Sequence, residues 1–564
     1  MITRRFSKKD KIDLDKLKKF QYISDNKVIP NNTTDWGANL VSNTWSSSTG
    51  ECILTFDNPI TNIPYATFQG VTGKGYNLEA ITHIPESCKI INNRAFQSNN
   101  TLLNVDFGDG VTTIGRFMFN GCRKITTVRF GKNVKYIGNI DIATDNFNAY
   151  STQINNASGF FGLCFKLSTI YWDCVDCNDF MYSDETLFHH DSMLGASYLD
   201  YDVEITTVHL GRQVVNIPRM CFYGCEKLNS VIDIPNTCNR IGDYAFANCK
   251  ALTKVYCRAQ VPPKIESGYG LSSFDNGTNV VFKYYDTTSK TYKVIPGLKI
   301  FVPLGCASAY RSDPQWKEYR TCIYEYYDYV DLGLINSAGK KVLFASCNVG
   351  AKNPEDFGYI FSWGESAGHT YDLPDPDSNF GPNTTPLPPE YKNFDWGGYK
   401  YSSDANGTNM TKYNATDKLS ELQPADDGAT VYMIDDDWRT PSTEDFTLLT
   451  DTTKVKKEYI DLNGNVVAPT EQITNLLGVR YTSLVPGYVG NSIFFPAGGT
   501  GVYDEDYGAS VVKNIYATGS LWTRNLNTSN IKNAMFFYYY TPKTSTVSQY
   551  ARMYGRHIRG VVYK

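Results

Sequence analysis

The sequence lacks the roughly eighteen-residue apolar run that marks a membrane-crossing helix, which removes helical membrane insertion from its expected roles. It also lacks an excess of either charge. There are 54 basic and 58 acidic residues, for a net charge of −4. That balance excludes the basic stripe of a nucleic-acid binder and offers no lure for acidic substrates. No Gly-x-x-x-x-Gly-Lys-Ser/Thr, His-Glu-x-x-His or Gly-x-Ser-x-Gly occurs, so the P-loop, zincin and nucleophile-elbow signatures are missing. The six histidines are scattered, and none pairs by sequence with a nucleophile. No carboxylate pair of the glycosidase kind is identifiable. The opening Met1-Ile-Thr-Arg-Arg-Phe-Ser-Lys-Lys-Asp is basic, but no apolar stretch follows it as in a signal peptide. The expectation is a chain that does not use signal-dependent export.

What the sequence has instead is a repeat. Ile91-Asn-Asn-Arg-Ala-Phe96 returns twenty-three residues later as Ile114-Gly-Arg-Phe-Met-Phe119. The phrase continues as Phe119-Asn-Gly-Cys122-Arg-Lys-Ile125-Thr-Thr-Val128. It recurs at Phe161…Cys164…Leu167…Ile170, at Phe222…Cys225…Leu228…Val231 and at Phe246…Cys249…Leu252…Val255. A period in the low twenties signals a leucine-rich solenoid. No single turn can bury its apolar face alone, so stacked turns should place Phe on Phe, Cys on Cys and Leu on Leu through one core. Leu-x-x-Val is expected to supply a strand of a parallel sheet, and Ile-x-x-x-x-Phe the return.

Fourteen cysteines invite a disulfide reading, but four of them share one inward repeat position. There a cysteine is a small buried hydrophobe, and reduced thiols are expected. Cys174-Val-Asp-Cys177 with His189 and His190 resembles zinc ligands only weakly, because strong zinc signals pair their ligands at regular spacing. No metal and no cofactor is expected.

Taken in order, residues 1–35 read as an N-terminal docking arm, with Ile12, Leu14, Leu17 and Phe20 along one side of a short helix; a solvated helix that caps the first domain is the competing reading. Residues 36–325 are the solenoid with its caps. Gly37-Ala-Asn-Leu-Val-Ser-Asn-Thr-Trp45 and Ile53-Leu-Thr-Phe56-Asp-Asn-Pro-Ile60 are expected strands, and Lys299–Tyr310 a last strand and a short helix. Insertions at 141–158 and 174–203 are candidate contact surfaces, since insertions in solenoids collect on one face.

The Ile-Gly-x-x-x-Phe-x-x-Cys repeats and the closing Phe301-Val-Pro…Ala309-Tyr…Trp316 segment resemble the BspA-type leucine-rich repeat proteins of Bacteroidetes and their phages. Residues 326–564 change character. Phe357-Gly-Tyr-Ile-Phe-Ser-Trp363-Gly-Glu365, Trp438-Arg-Thr-Pro-Ser-Thr-Glu-Asp-Phe446-Thr-Leu-Leu449, Gly519-Ser-Leu-Trp522-Thr and Tyr554-Gly-Arg-His-Ile-Arg559-Gly-Val follow in sequence. This series resembles the Fibrobacter-type major paralogous domain, which implies a C-type-lectin-like fold related to formylglycine-generating enzymes. The expected fold class is therefore β-rich α+β, a leucine-rich repeat solenoid followed by a C-type-lectin-like domain. Ser442 or Thr443 should cap a short helix that buries Phe446 and Leu449.

The sugar-reading Glu-Pro-Asn, Gln-Pro-Asp and Trp-Asn-Asp motifs of that fold are missing. So is the cysteine pair that formylglycine chemistry needs, since only Cys347 follows Cys322. Asp435-Asp436-Asp437 is an acidic cluster with oxygens suited to calcium, though a solvated turn explains it as well. No catalytic residue is expected. The candidate binding residues are Trp396, Tyr399 and Tyr401 in a Pro-rich loop, and Tyr503 and Tyr507 in a second loop; aromatic packing of those loops onto the body is the competing reading.

The two resemblances imply a non-enzymatic recognition protein. The leading expectation is a virion head or tail fibre of a tailed, crAss-like phage of gut Bacteroidetes. Its arm would bind capsid or tail proteins, its C-terminal domain a host-surface glycan or protein, and copies of the chain would form a homo-oligomer. The alternative is a bacterial cell-surface adhesin, and a carbohydrate-active enzyme is a distant third.

Overall fold

The structure is a computed structural model that describes residues 14–70, 78–115, 117–138, 161, 164–178, 204–266, 280–374, 380, 382–388, 394–468, 473–540 and 545–564. The chain divides into two compact units, Met1–Tyr324 and Glu325–Lys564. No helix among the described residues is long and apolar enough to cross a membrane.

The first unit is a coil of short strands. Leu78–His83, Asn104–Asp106, Thr127–Phe130, Thr169–Trp172 and Thr207–Leu210 lie side by side in one sheet, parallel to one another. On the return side, Asn62–Ile63, Ile90–Ile91, Thr113–Ile114 and Tyr136–Ile137 form a second parallel ladder, in register isoleucine on isoleucine. The phenylalanine column is real. Phe68, Phe96, Phe119 and Phe161 are fully or almost fully buried, with successive ring centroids 5.6, 6.0 and 5.5 Å apart and planes within 12°. Phe222, Phe246 and Phe282 continue it at 5.2 and 5.5 Å. None of the fourteen cysteines forms a disulfide, and twelve are buried.

Each coil carries a backbone cost at one place. Ala66, Arg94, Phe117, Met220 and Tyr244 all sit three residues after the return isoleucine and all have φ between 52° and 60°. The left-handed region is unfavourable for side chains with a Cβ. The next coil fixes it: the Ala66 amide donates to Asn93 O at 3.1 Å, and the Met220 amide to Asp243 O at 3.1 Å.

The array departs from the expected pattern at Val231. That side chain is 47% exposed, while Ile232 is buried and pairs with Val255. One extra residue between Leu228 and the core position shifts the pleat, and a one-residue slip exchanges the two faces. The long sheet ends at Thr207–Leu210, and a new one begins with Ile232–Ile234, Lys254–Cys257 and Lys299–Pro303.

The N-terminal expectation needs correcting. Helix Leu14–Leu17 is one turn long, and Phe20 is not part of it. Lys19–Ser24 is a strand, antiparallel to both Glu51–Phe56 and Leu78–His83. Phe20, Tyr22 and Ser24 alternate inward, and Phe20 stacks on Phe68 at 5.4 Å. A period-two pattern buries one face of a strand, so residues 19–24 cap the open end of the coil, while Ile12 and the rest of residues 1–13 lie outside the described residues. At the other end, strand Lys299–Pro303 and helix Ala307–Ser312 bring Tyr310, Trp316 and Tyr319 over the last coil, all buried.

The second unit is β-rich and closes on itself. Lys341–Asn348 lies between Tyr329–Ile335 and the final strand Arg559–Tyr563, so its first and last strands share one sheet. A five-stranded sheet runs Ile360–Phe361, Arg556–His557, Thr518–Leu526, Asn533–Tyr540 and Thr546–Ala551. Helix Thr443–Leu448 starts at Ser442 with a full capping box to Asp445, and Phe446 and Leu449 are buried beneath it.

Candidate binding surface

The Pro-rich loop does not present its tyrosines. Tyr399 and Tyr401 are 3% and 6% exposed. The Tyr399 hydroxyl donates to Trp363 O at 2.7 Å. The Tyr401 hydroxyl donates to Asp426, and so does that of Tyr413, at 2.7 Å. Lys412 and Lys400 complete the ring around the same carboxylate. Burial alone would raise the Asp426 pKa, but the Lys412 ammonium and the two tyrosine hydroxyls outweigh it and hold the pKa down to about 2. A buried carboxylate with this many donors fastens a loop to its body. Tyr399 and Tyr401 are therefore structural, which corrects their assignment as contact residues. Trp396 is half-buried, edge-on to Tyr399 at 5.7 Å, and lies against Gly407, where a Cβ would meet its ring at 2.4 Å.

The second loop is a hairpin, Thr500–Asp504 with Ala509–Lys513. Asp504 is buried and paired with Lys513, which fixes the turn. Tyr503 is half-buried, and Tyr507, 44% exposed, packs on Phe380 at 4.8 Å. The acidic cluster is also committed inside the fold. Asp435 is buried and accepts from Trp438 Nε1 at 2.8 Å, and Asp436 pairs with Lys564. Cys174 and Cys177 are buried side by side, and burial pushes the Cys174 thiol well above its usual range. His189, His190, the insertion at 141–158 and residues 179–203 lie outside the described residues. No three His, Cys, Asp or Glu side chains converge on a metal position among the described residues.

The face that does offer ordered side chains is the solvent side of the solenoid sheet. Parallel register aligns Asn104, Thr127, Thr169 and Thr207 in one row, and Asp106, Arg129, Tyr171 and His209 in the next. Tyr171 and His209 stack at 4.7 Å and 18°, and both are exposed. Arg129 bonds Asp106 at 3.0 Å, Asp109 at 3.1 Å and Asp173 at 2.7 Å. Burial would lower the Arg129 pKa, but the aspartates more than offset it, so the guanidinium stays charged and fully occupied. This surface can hold a ligand by hydroxyls and stacked rings; nothing in it activates a nucleophile. Its signal was in the sequence as the two residues flanking each buried Val or Ile: Thr127 and Arg129, Thr169 and Tyr171, Thr207 and His209.

The BspA type leucine rich repeat region, in 6 copies, matches residues 74–174 and 193–281. No curated protein matches the chain. Among solved structures, the chain is similar to a leucine rich cell surface protein of Faecalibacterium prausnitzii, at 14% identity and TM-score 0.14, over 40% of this chain and 86% of that one. It is similar to the pneumococcal vaccine antigen PcpA, at 13% identity and TM-score 0.16, over 47% and 83%. A leucine-rich repeat protein of Bacteroides ovatus shares 17% identity, TM-score 0.14, over 53% and 96%. At these TM-scores the likenesses carry no argument, so the assignment rests on the repeat match and on the coil itself. Residues 74–281 are a BspA-type leucine-rich repeat region, followed in the chain by a separate β-rich unit.

Proposed function

We propose that the chain is a non-enzymatic recognition protein of the bacterial cell-surface adhesin kind. The observation that carries this is the pair of aligned rows on the solenoid sheet, where neighbouring coils repeat threonine and set Tyr171 on His209. Repeat coils build extended surfaces suited to binding. The phage-fibre setting has no support in the repeat match or in the similar structures. For the second unit we infer a C-type-lectin-like organisation, supported by its motif order and by the pairing of its first and last strands. Immunogold labelling with antibody against the second unit tests the setting. Gold on the envelopes of intact producing cells is expected; gold confined to phage particles would overturn it. Hydrolysis of a polysaccharide by the purified chain would overturn the non-enzymatic reading.

A further inference from the structure

Three arginines are buried near the end of the second unit, and the fold engages them to different degrees. Arg559 donates to Asn348 Oδ1, Ala345 O and Phe494 O at 2.8–2.9 Å. Arg552 donates from both Nη atoms, to Tyr413 O and Lys412 O at 3.2 Å, though its Nε is sealed without a partner. Arg556 is the least engaged of the three. It is 5% exposed, its Nε is sealed from solvent without a partner, and its one hydrogen bond among the described residues is from Nη1 to the Thr500 hydroxyl at 3.3 Å. No carboxylate among the described residues pairs with it. A buried cation without an anion is costly. Burial accordingly pushes its pKa down to about 9.

What surrounds this guanidinium is aromatic. Its carbon lies 3.6 Å from the Phe536 ring centre, 5.1 Å from Trp522 and 5.9 Å from Tyr550. The side chain starts from Arg556–His557, crosses Trp522 on Thr518–Leu526, and ends over Phe536 on Asn533–Tyr540. The next strand, Thr546–Ala551, is the edge of the sheet. Register places Thr518, Ser520 and Trp522 opposite Tyr540, Tyr538 and Phe536, and these opposite Thr546 and Ser548. Directly paired residues share a face. That face is covered at Trp522, which is 1% exposed, and opens toward the edge, where Tyr550 is 52% exposed. Phe536, Tyr538 and Tyr540 form a line with steps of 5.5 Å, and Tyr554 packs on Tyr550 at 5.0 Å.

We propose that this face binds an acidic saccharide, with sugar rings lying on the Tyr550, Tyr538 and Tyr540 rings, hydroxyls reaching Thr546 and Ser548, and the sugar's anionic group closing on Arg556. Tyrosine with Ser and Thr gives broad contact and adaptable hydrogen bonds. A guanidinium fork matches a carboxylate or sulfate oxyanion. The inference rests on the recognition reading above but assigns it to a site of its own, away from the solenoid face.

The test uses the full chain and four polymers: polygalacturonate and polysialic acid for carboxylates, heparin for sulfate, and dextran as a neutral control. Calorimetry should show binding to at least one acidic polymer, weakening with added salt, and none to dextran. Tyr550→Ala, at an exposed position, and Arg556→Gln should each weaken it roughly tenfold or more. Thermal melts report whether Arg556→Gln is folded, and Tyr550→Ala carries the test if it is not. Binding to no acidic polymer, equal binding to dextran, or undiminished binding by folded Tyr550→Ala overturns the site. Envelope labelling with such a failure leaves the adhesin reading intact; absence of labelling removes that reading whatever the polymers do.

Discussion

The Cys164 thiol donates to the Phe119 carbonyl of the preceding coil across 3.0 Å. Cys122 does the same to Phe96 O at 3.2 Å, and Cys249 to Phe222 O at 3.2 Å. At the same repeat position Asn99 reaches Phe68 O at 2.6 Å through its side-chain amide. The residue at this position thus ties each coil to the one before, and its polar atom matters as well as its size. Cys164→Ala should cost about 1–2 kcal/mol in a denaturant melt, from the lost bond and a small cavity. No loss of stability would remove the tie.

The same column should be chemically silent. Burial pushes the Cys122 thiol up to about 12, and thiolate is the reactive form. In the native protein a thiol reagent should react quickly with Cys306 and Cys322, the two that are not fully buried. The remaining thiols should appear only on denaturation. Fast native labelling of Cys122 would place it at the surface.

Phe119 sits between Phe96 and Phe161 in the ring column and is fully buried. Phe119→Ala should cost about 3–5 kcal/mol in a chemical melt. A loss under about 1 kcal/mol would show that the coils close over the gap.

Coil spacing can be probed at Gly131. A Cβ there would stand 1.7 Å from Gly108 O, which belongs to the backbone of the preceding coil. Backbone cannot rotate aside as a side chain does, so Gly131→Ala should lose about 1–3 kcal/mol by overpacking. Gly297→Ala, with nothing within 4 Å of its added Cβ, should lose less, set by its φ of 74° alone.

Asp426 gives the second unit a pH signature. Its folded pKa is depressed to about 2, against an ordinary aspartate value near 4. The folded state therefore holds the charged form, and this stability is present above about pH 4 and lost as pH falls through about 2. Asp426→Asn should melt at lower temperature than the wild type at neutral pH, and the gap should narrow as pH drops through that window. A gap independent of pH would mean that Tyr401, Tyr413 and the lysines do not hold a charge there.

The sequence by itself determined the coil. Its period and the inward Phe, Cys and Leu positions follow from spacing, because a stacked repeat buries the same position every turn. The capping box at Ser442 was equally local, since the four residues Ser442 to Asp445 contain its whole geometry. Tertiary structure decided everything that depends on which face a residue meets. Val231 fits the written repeat, yet one inserted residue turns it outward and Ile232 inward. Phe20 fits a helix face in sequence, but the open end of the coil offers a strand edge, and pairing there takes it. Tyr399 and Tyr401 look like contact residues in a Pro-rich loop; the Trp363 carbonyl and Asp426, twenty-five residues beyond Tyr401, draw them inside. Arg556 shows the limit most plainly. Nothing in its sequence neighbourhood marks a cation left without an anion, because that depends on Trp522, Phe536 and Tyr550 arriving from three different strands and on no carboxylate among the described residues arriving with them.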